Sequence, residues 1–214
     1  MKNSLIIACD GEAASGKSTG AKLISKKYKL LLINSGLFYR YASKIIIEKK
    51  PKKIVPFLRK ELKKIKYERI SSQNLHTQEI SKYVGFLAKK KAVRLIINSL
   101  QRKIIRKNKK ICVEGRDIAS KILNNKPRYD IAFYFKCNND VAGYRRWLDL
   151  KKKVPLKEVK KTLKLRTKLD KTRIHSPLKR VKDAMLIRSD KLTKKQMLTK
   201  MTQEINKKLK NFVN

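Results

Sequence analysis

The sequence predicts an α/β fold, a five-stranded parallel sheet with helices on both faces, in a single domain spanning residues 1–214. Three observations predict it. Short apolar runs (LIIACD, LLLIN, KICVEG, YDIAFYFK, AMLIRSD) recur without a clean polar alternation, as strands buried on both faces do. Helical periodicity fills the stretches between them, and parallel strands need such crossovers. A glycine-containing stretch, GEAASGKS at Gly11–Ser18, joins the first apolar run to the first helical one.

In chain order, Leu5–Asp10 reads as a buried strand, Lys17–Tyr28 as a helix and Leu30–Asn34 as the second strand. Gly36–Glu48 is helical. Lys49–Pro56 carries two prolines and breaks the pattern, and Val55–Ile65 is a short helix. Arg69–Thr77 reads as a loop whose last residue caps the next helix. Gln78–Arg106 is helical, with a break near Gly85 or Lys90. Lys110–Gly115 and Tyr129–Lys136 are the third and fourth strands. Asp140–Lys152 and Leu156–Lys171 are helices parted at Pro155. Ala184–Asp190 is the last strand, and Lys194–Leu209 an amphipathic closing helix.

The totals exclude several classes. A 41% hydrophobic content is too high for a disordered polymer. No apolar run approaches the roughly 20 residues of a membrane span. The N-terminal MKNSLIIACDG is too short in apolar residues for a secretory leader, and runs straight into the glycine loop. Cys9, Cys112 and Cys137 are few, odd in number and set in strand-like runs, which favours buried thiols in a reducing cytoplasm. The formal charge of +42 suggests a polyanionic partner. Yet lysine is spread along the whole chain rather than gathered in one arm. Solvated helix faces, with salt-sensitive adhesion to nucleic acid as a side effect and no specific nucleic-acid partner, are therefore expected.

Gly11-Glu12-Ala13-Ala14-Ser15-Gly16-Lys17-Ser18 fits the GxxxxGK[ST] phosphate loop without a mismatch, between a strand and a helix. Glycines let the backbone turn its N–H groups inward, and the following helix offers its positive end to the same anion. Lys17 reaches the outer phosphates, Ser18 is a Mg²⁺ ligand, and Thr19 adds a hydroxyl. The loop is thus a nucleoside triphosphate site. The guanine-reading Asn-Lys-x-Asp of a GTPase is absent from the sequence. Asp10 and Glu114 end strands nearby, and either could hold the metal through water. For Asp10 a loop-capping hydrogen bond is the alternative. His76 and His175 show no metal-ligand spacing.

Ligands in open α/β sheets bind beyond the strand carboxyl ends, which places Ser35, Arg40, Arg116 and Asp117 near the loop. Arg166, Asp170 and Arg173 are spaced by four and then three, on one helical face. Arginine clamps phosphate oxygens and keeps its charge. Phosphoryl transfer needs such clamps both on the acceptor and on the group in flight.

These stretches together resemble bacterial cytidylate kinases, nucleoside monophosphate kinases of the phosphate-loop type. The matching segments are IIACDGEAASGKSTGAKLISKKY, NSGLFYR, HTQEIS with its downstream VR, EGRDIAS, LRTKLDKTRIHSPL and DAMLIRSDKLT. The resemblance implies a cytoplasmic, monomeric enzyme that moves the γ-phosphate of ATP to CMP or dCMP with Mg²⁺. It implies that Ser35, Arg94 and Asp117 read the cytosine, and that Arg40, Arg116 and Arg173 grip the acceptor phosphate. Arg166 and Asp170 would stand near the sugar and the transfer point, and Arg145 would be a lid arginine closing on ATP. It also implies a monophosphate-binding part at residues 36–107 and a helical lid at residues 138–177, with Tyr144 and Trp147 as lid packing. The chain departs from the family pattern at Ser18, where glycine is usual, and at Gly85, where a serine contacts the sugar. Asn34, Ala119 and Ala142 replace an aspartate, a glycine and a lid arginine. Arg69–Thr77 is too short for the small β-sheet insertion of the longer bacterial enzymes. The rival readings are a kinase for UMP or AMP, and a basic RNA-binding protein on a phosphate-loop scaffold.

Overall fold

The computed structural model describes residues 4–210. Its strands are β1 (Leu5–Gly11), β2 (Leu31–Asn34), β3 (Lys110–Gly115), β4 (Ile131–Lys136) and β5 (Met185–Arg188). They form one sheet in the order β2-β3-β1-β4-β5. β1 pairs in parallel with β3 and β4, and β4 with β5. The helices are α1 (Lys17–Tyr28), α2 (Ser35–Lys49), α3 (Ile54–Leu62), α4 (Tyr67–Ser71), α5 (Gln78–Leu87), α6 (Lys91–Arg106), α7 (Asn139–Asp149), α8 (Leu156–Thr172) and α9 (Lys194–Lys210). The chain divides into two compact units, Ile33–Asn108 and the remainder.

In the larger unit, alternate residues of the central strands (Ile7 and Cys9, Phe133 and Phe135, Ile187) pack with Ala21 and Ile24 of α1 and with Met197, Met201 and Ile205 of α9. All are buried, so apolar area leaves water along the whole strand length, at roughly 25 cal/mol per Å². Helix α1 can lie this close because residue 20 is glycine: a Cβ there would stand 2.6 Å from the Phe135 ring. Cys9 and Cys112 are free, buried thiols with their sulfurs 3.8 Å apart. Their mutual hydrogen bond and burial push the Cys9 thiol well above its usual range.

Helices α7 and α8 form a hairpin with its own small core of Cys137, Ala142, Val159 and Leu163, joined by Trp147, Leu150 and Val154. Asn138 caps α7 by accepting from the Asp140 N–H at 2.7 Å, and Pro155 is the residue before α8. Trp147 packs in this core; Tyr144, its ring 5.8 Å away, stays half exposed.

In the smaller unit, Asn34 caps α2 by accepting from the Gly36 N–H at 2.9 Å, so the helix begins at Ser35, one residue earlier than the periodicity indicates. Thr77 caps α5, accepting from the Ile80 N–H at 3.2 Å, and the break between α5 and α6 falls at residues 88–90. The segment expected to be all loop, Arg69–Thr77, begins in helix α4. Ile70 is buried, and the Ser71 and Ser72 hydroxyls donate back to the Glu68 and Arg69 carbonyls, which prolongs the turn.

One feature of α6 runs against stability. Gln101 is 1% exposed, and among the described residues neither of its amide atoms has a hydrogen-bond partner. Leaving such a group dry costs about 1–3 kcal/mol. Gln101→Met keeps the shape and removes the polar atoms. It should raise the unfolding free energy by about 1–2 kcal/mol in a denaturant melt; a loss of stability would show that the amide is satisfied in solution.

Candidate functional site

The loop between β1 and α1 is built by local backbone geometry. Gly16 caps α1 at φ 73°, a left-handed conformation that glycine adopts without a Cβ penalty. Gly11 lies so close to β4 that a Cβ would meet the Phe135 carbonyl at 2.5 Å. The Glu12 N–H donates to that same carbonyl at 3.1 Å and hangs the loop on β4. Ser15 is buried with its hydroxyl unpartnered among the described residues.

Because β3 runs parallel beside β1, its end delivers Glu114, Arg116 and Asp117 to the same edge of the sheet. Ser18 Oγ donates to Glu114 Oε2 at 2.6 Å, and Lys17 Nζ is 3.5 Å from the same oxygen. Glu114 is buried, with Lys17 and Arg116 as cations acting on it. Asp10 plays a different part. Its two oxygens accept from the Ile118 and Ala119 N–H groups, each at 2.8 Å. They strap down a wide single turn at Ile118–Ile122, which the sequence did not signal. The capping role therefore belongs to Asp10, and Glu114 is the carboxylate beside Ser18.

Helix α8 completes the cluster. Arg116 donates to the Gly11 carbonyl, and its Nε lies 3.1 Å from Asp170. The other Asp170 oxygen is 3.3 Å from Arg173, whose second guanidinium nitrogen is 3.7 Å from Asp117. Arg173 Nε also donates to the Ser176 carbonyl, and Ser176 adopts φ 56° in the turn that presents it. Arg166 stands near enough to act on both Lys17 and Arg116. Burial first, then Arg116 and Arg166, push the Lys17 ammonium below its ordinary value, against the pull of Glu114. Burial, with Arg166 and Arg173, brings the Arg116 guanidinium down to about 10, against Asp170. At about 10 the Arg116 guanidinium remains cationic at neutral pH, and an added anion would relieve the crowding that weakens both groups.

The hairpin leans on the loop through contacts that sequence inspection missed. Lys171 pairs with Glu12 at 2.6 Å, and Thr167 accepts from the Ala13 N–H at 3.3 Å. Ala13 and Ala14 join the hairpin's apolar core. Only the spacing of Thr167 and Lys171, one turn apart on α8, hinted at a second functional face. Arg145 donates to the Ser189 carbonyl at 3.1 Å, and Ser189 packs against Gly16.

Thus the larger unit brings together Lys17, Ser18, Arg116, Asp117, Arg166, Asp170 and Arg173, with Arg145 at the back of the loop. Ser35, Arg40 and Arg94 belong to the smaller unit. There Ser35 is buried at the start of α2. Arg40 donates to the Leu75 carbonyl and to Ser81 Oγ, both at 3.0 Å. Arg94 is buried, donates to the Ala88 carbonyl at 3.0 Å and lies 5.5 Å from the Tyr39 ring centroid.

Asp10 supplies a test of this layout. Burial, partly offset by its two N–H bonds, raises its carboxyl from 3.8 to about 6. A folded value above the unfolded one means a contribution fully present below pH 3.8 and lost as pH rises through about 6. Relative to wild type, Asp10→Asn should therefore gain about 2–2.5 kcal/mol between pH 4 and pH 7 in paired denaturant melts. A constant gap would mean that Asp10 is not held in this dry site.

A family model described as cytidylate kinase matches residues 7–207. A cytidylate kinase of Thermosipho melanesiensis is 31% identical over 95% of this chain and 98% of its own length. One of Fusobacterium nucleatum is 30% identical over 96% and 99%. Among solved structures, a shikimate kinase of Bacteroides thetaiotaomicron shares the fold at TM-score 0.51 and 10% identity, over 94% of this chain and 98% of its own.

Proposed function

The chain belongs to the cytidylate kinase family of phosphotransferases, and we propose that it carries the γ-phosphoryl group of ATP to the phosphate of CMP or dCMP. The observation that carries this reading is the convergence of Lys17 with three arginines, Arg116, Arg166 and Arg173, around carboxylates that hold them without neutralising them all.

In this reading the loop residues Gly11–Thr19 hold ATP by their N–H groups, the α1 N-terminus and Lys17. Arg40, Arg116 and Arg173 grip the acceptor phosphate, Arg116 and Arg173 being set in place by Asp170. Arg166, near both Lys17 and Arg116, offsets the charge on the group in flight. Ser35, Arg94 and Asp117 read the cytosine, whose exocyclic amine is a donor for a carboxylate and whose ring acceptors suit an arginine. Residues 36–107 form the monophosphate-binding part, and residues 138–177, with Arg145, the lid. A lid resting on Glu12 and Ala13 would exclude the water that otherwise wastes ATP. Ser18 Oγ and Glu114, 2.6 Å apart, are a hard oxygen pair that fits Mg²⁺: Ser18 would be a ligand, and Glu114 could hold the metal through water. When bound, the metal neutralises charge on the outer phosphates. The buried free thiols suit a cytoplasmic enzyme, acting as a monomer.

A coupled ADP-release assay over CMP, dCMP, UMP and AMP, with Lys17→Ala as the blank, tests the reading. CMP and dCMP should dominate the panel; turnover with UMP or AMP instead would reassign the acceptor. Arg116→Ala and Arg173→Ala should each lose CMP-dependent turnover by about a hundredfold or more while ATP binding survives. Full turnover in either variant would remove that arginine from the phosphate clamp.

A further inference from the structure

Between Glu79 and Glu114 the chain has no acidic residue, while lysine and arginine recur throughout. Where α5 gives way to α6, that charge meets two aromatic rings. Tyr83 and Phe86 lie one turn apart on α5, with centroids 5.6 Å apart and planes tilted by 58°. Phe86 is 49% exposed, and Lys90 Nζ stands 4.4 Å from its ring centroid. Lys82, Lys89, Lys90 and Lys91 are all exposed. Gly85, next to Phe86, is also open: a Cβ there would meet nothing within 4 Å. Helix α6 begins at Lys91 with no acidic residue in its first turn and no side-chain cap. Three consecutive lysines therefore crowd the positive end of a helix, and each disfavours the others and the dipole.

One exposed phenylalanine needs no explanation, and scattered lysines need none either. The combination does. An apolar protein partner would cover the rings but strand the ammonium groups. Single-stranded nucleic acid alternates a flat π-face with a phosphate and suits both. We propose that the α5–α6 corner binds single-stranded nucleic acid, with an unstacked base on Phe86, Tyr83 at the edge of that base, and the phosphates beside it neutralised by Lys82, Lys89, Lys90 and Lys91. This goes beyond the kinase reading and uses none of the side chains assigned to it, although the corner belongs to residues 36–107 and borders Gly85, where the family has a sugar-contacting serine. It also differs from diffuse adhesion of a cationic surface, because it requires the bases.

Fluorescence anisotropy on the full chain separates the two. The probes are labelled ribo- and deoxyribo-oligonucleotides of about twelve nucleotides, an abasic strand of equal length, and a duplex, each over a salt series. With wild-type protein the abasic strand should bind about tenfold more weakly than the strand with bases, and the duplex should also be weaker. Phe86→Leu keeps apolar bulk without the π-face; it should lose about tenfold at an unchanged salt slope, while Phe86→Tyr should bind like wild type. Replacing Lys89, Lys90 and Lys91 with glutamine should flatten the log–log salt slope by roughly 2. A preference between ribose and deoxyribose strands would identify the source as RNA or DNA. Equal affinity for abasic and base-bearing strands would overturn the proposal without any variant. So would an indifferent Phe86→Leu protein, tighter duplex binding, or binding to phosphatidylserine vesicles but to no oligonucleotide.

Discussion

Lys17, Arg116, Arg166 and Arg173 are like charges assembled in one region, two of them in surroundings dry enough to weaken their hold on a proton. Two unit charges 4 Å apart repel by about 4 kcal/mol at an effective dielectric of 20. The cluster persists because Glu114 and Asp170 are shared. Glu114 serves Lys17 and Ser18, and Asp170 serves Arg116 and Arg173. Each carboxylate orients two groups and offsets less than the whole charge. The remainder is an electrostatic preference for anions, present before any ligand arrives.

That balance constrains the fold around it. Glu114 can meet Ser18 only because β3 runs parallel beside β1 in a register that pairs Cys9 with Glu114. Asp170 can meet Arg116 only because the α7–α8 hairpin rests on the loop through Lys171, Thr167 and the alanines at 13 and 14. The close packing of α1 on Phe135 fixes where the loop ends and the helix dipole begins. Asp10 and the turn it straps hold the backbone that follows Arg116 and Asp117. Core packing and polar chemistry are thus one arrangement: the apolar layer sets strand register, and register sets which charges share an oxygen.

The same economy of carboxylates shapes the remaining surface. With 16 acidic residues against 58 basic ones, carboxylates are scarce, and several of them sit at the loop and its supports. Little is left to offset the helices of the smaller unit. Their lysines face water, and the positive end of α6 stands among them.

Much of this was legible in the residues alone. The glycine loop, its lysine and its serine are local: a strand, a turn and a helix start within one short stretch, so sequence spacing is spatial spacing. The strands and most helices were legible too, because burial on two faces and on one face leave different periodicities. Helix α4 and the wide turn at Ile118–Ile122 were not. Serine back-bonding sustains one, and Asp10, more than a hundred residues away in sequence, holds the other. Likewise no spacing rule could divide the labour between Asp10 and Glu114, or give Asp170 two guanidinium partners on different elements. Chain order determined which groups this protein owns and the glycine loop that joins β1 to α1. Which carboxylate faces which cation was decided by tertiary structure, since strand register and helix docking set those distances and a pattern along one strand carries no record of its neighbour's.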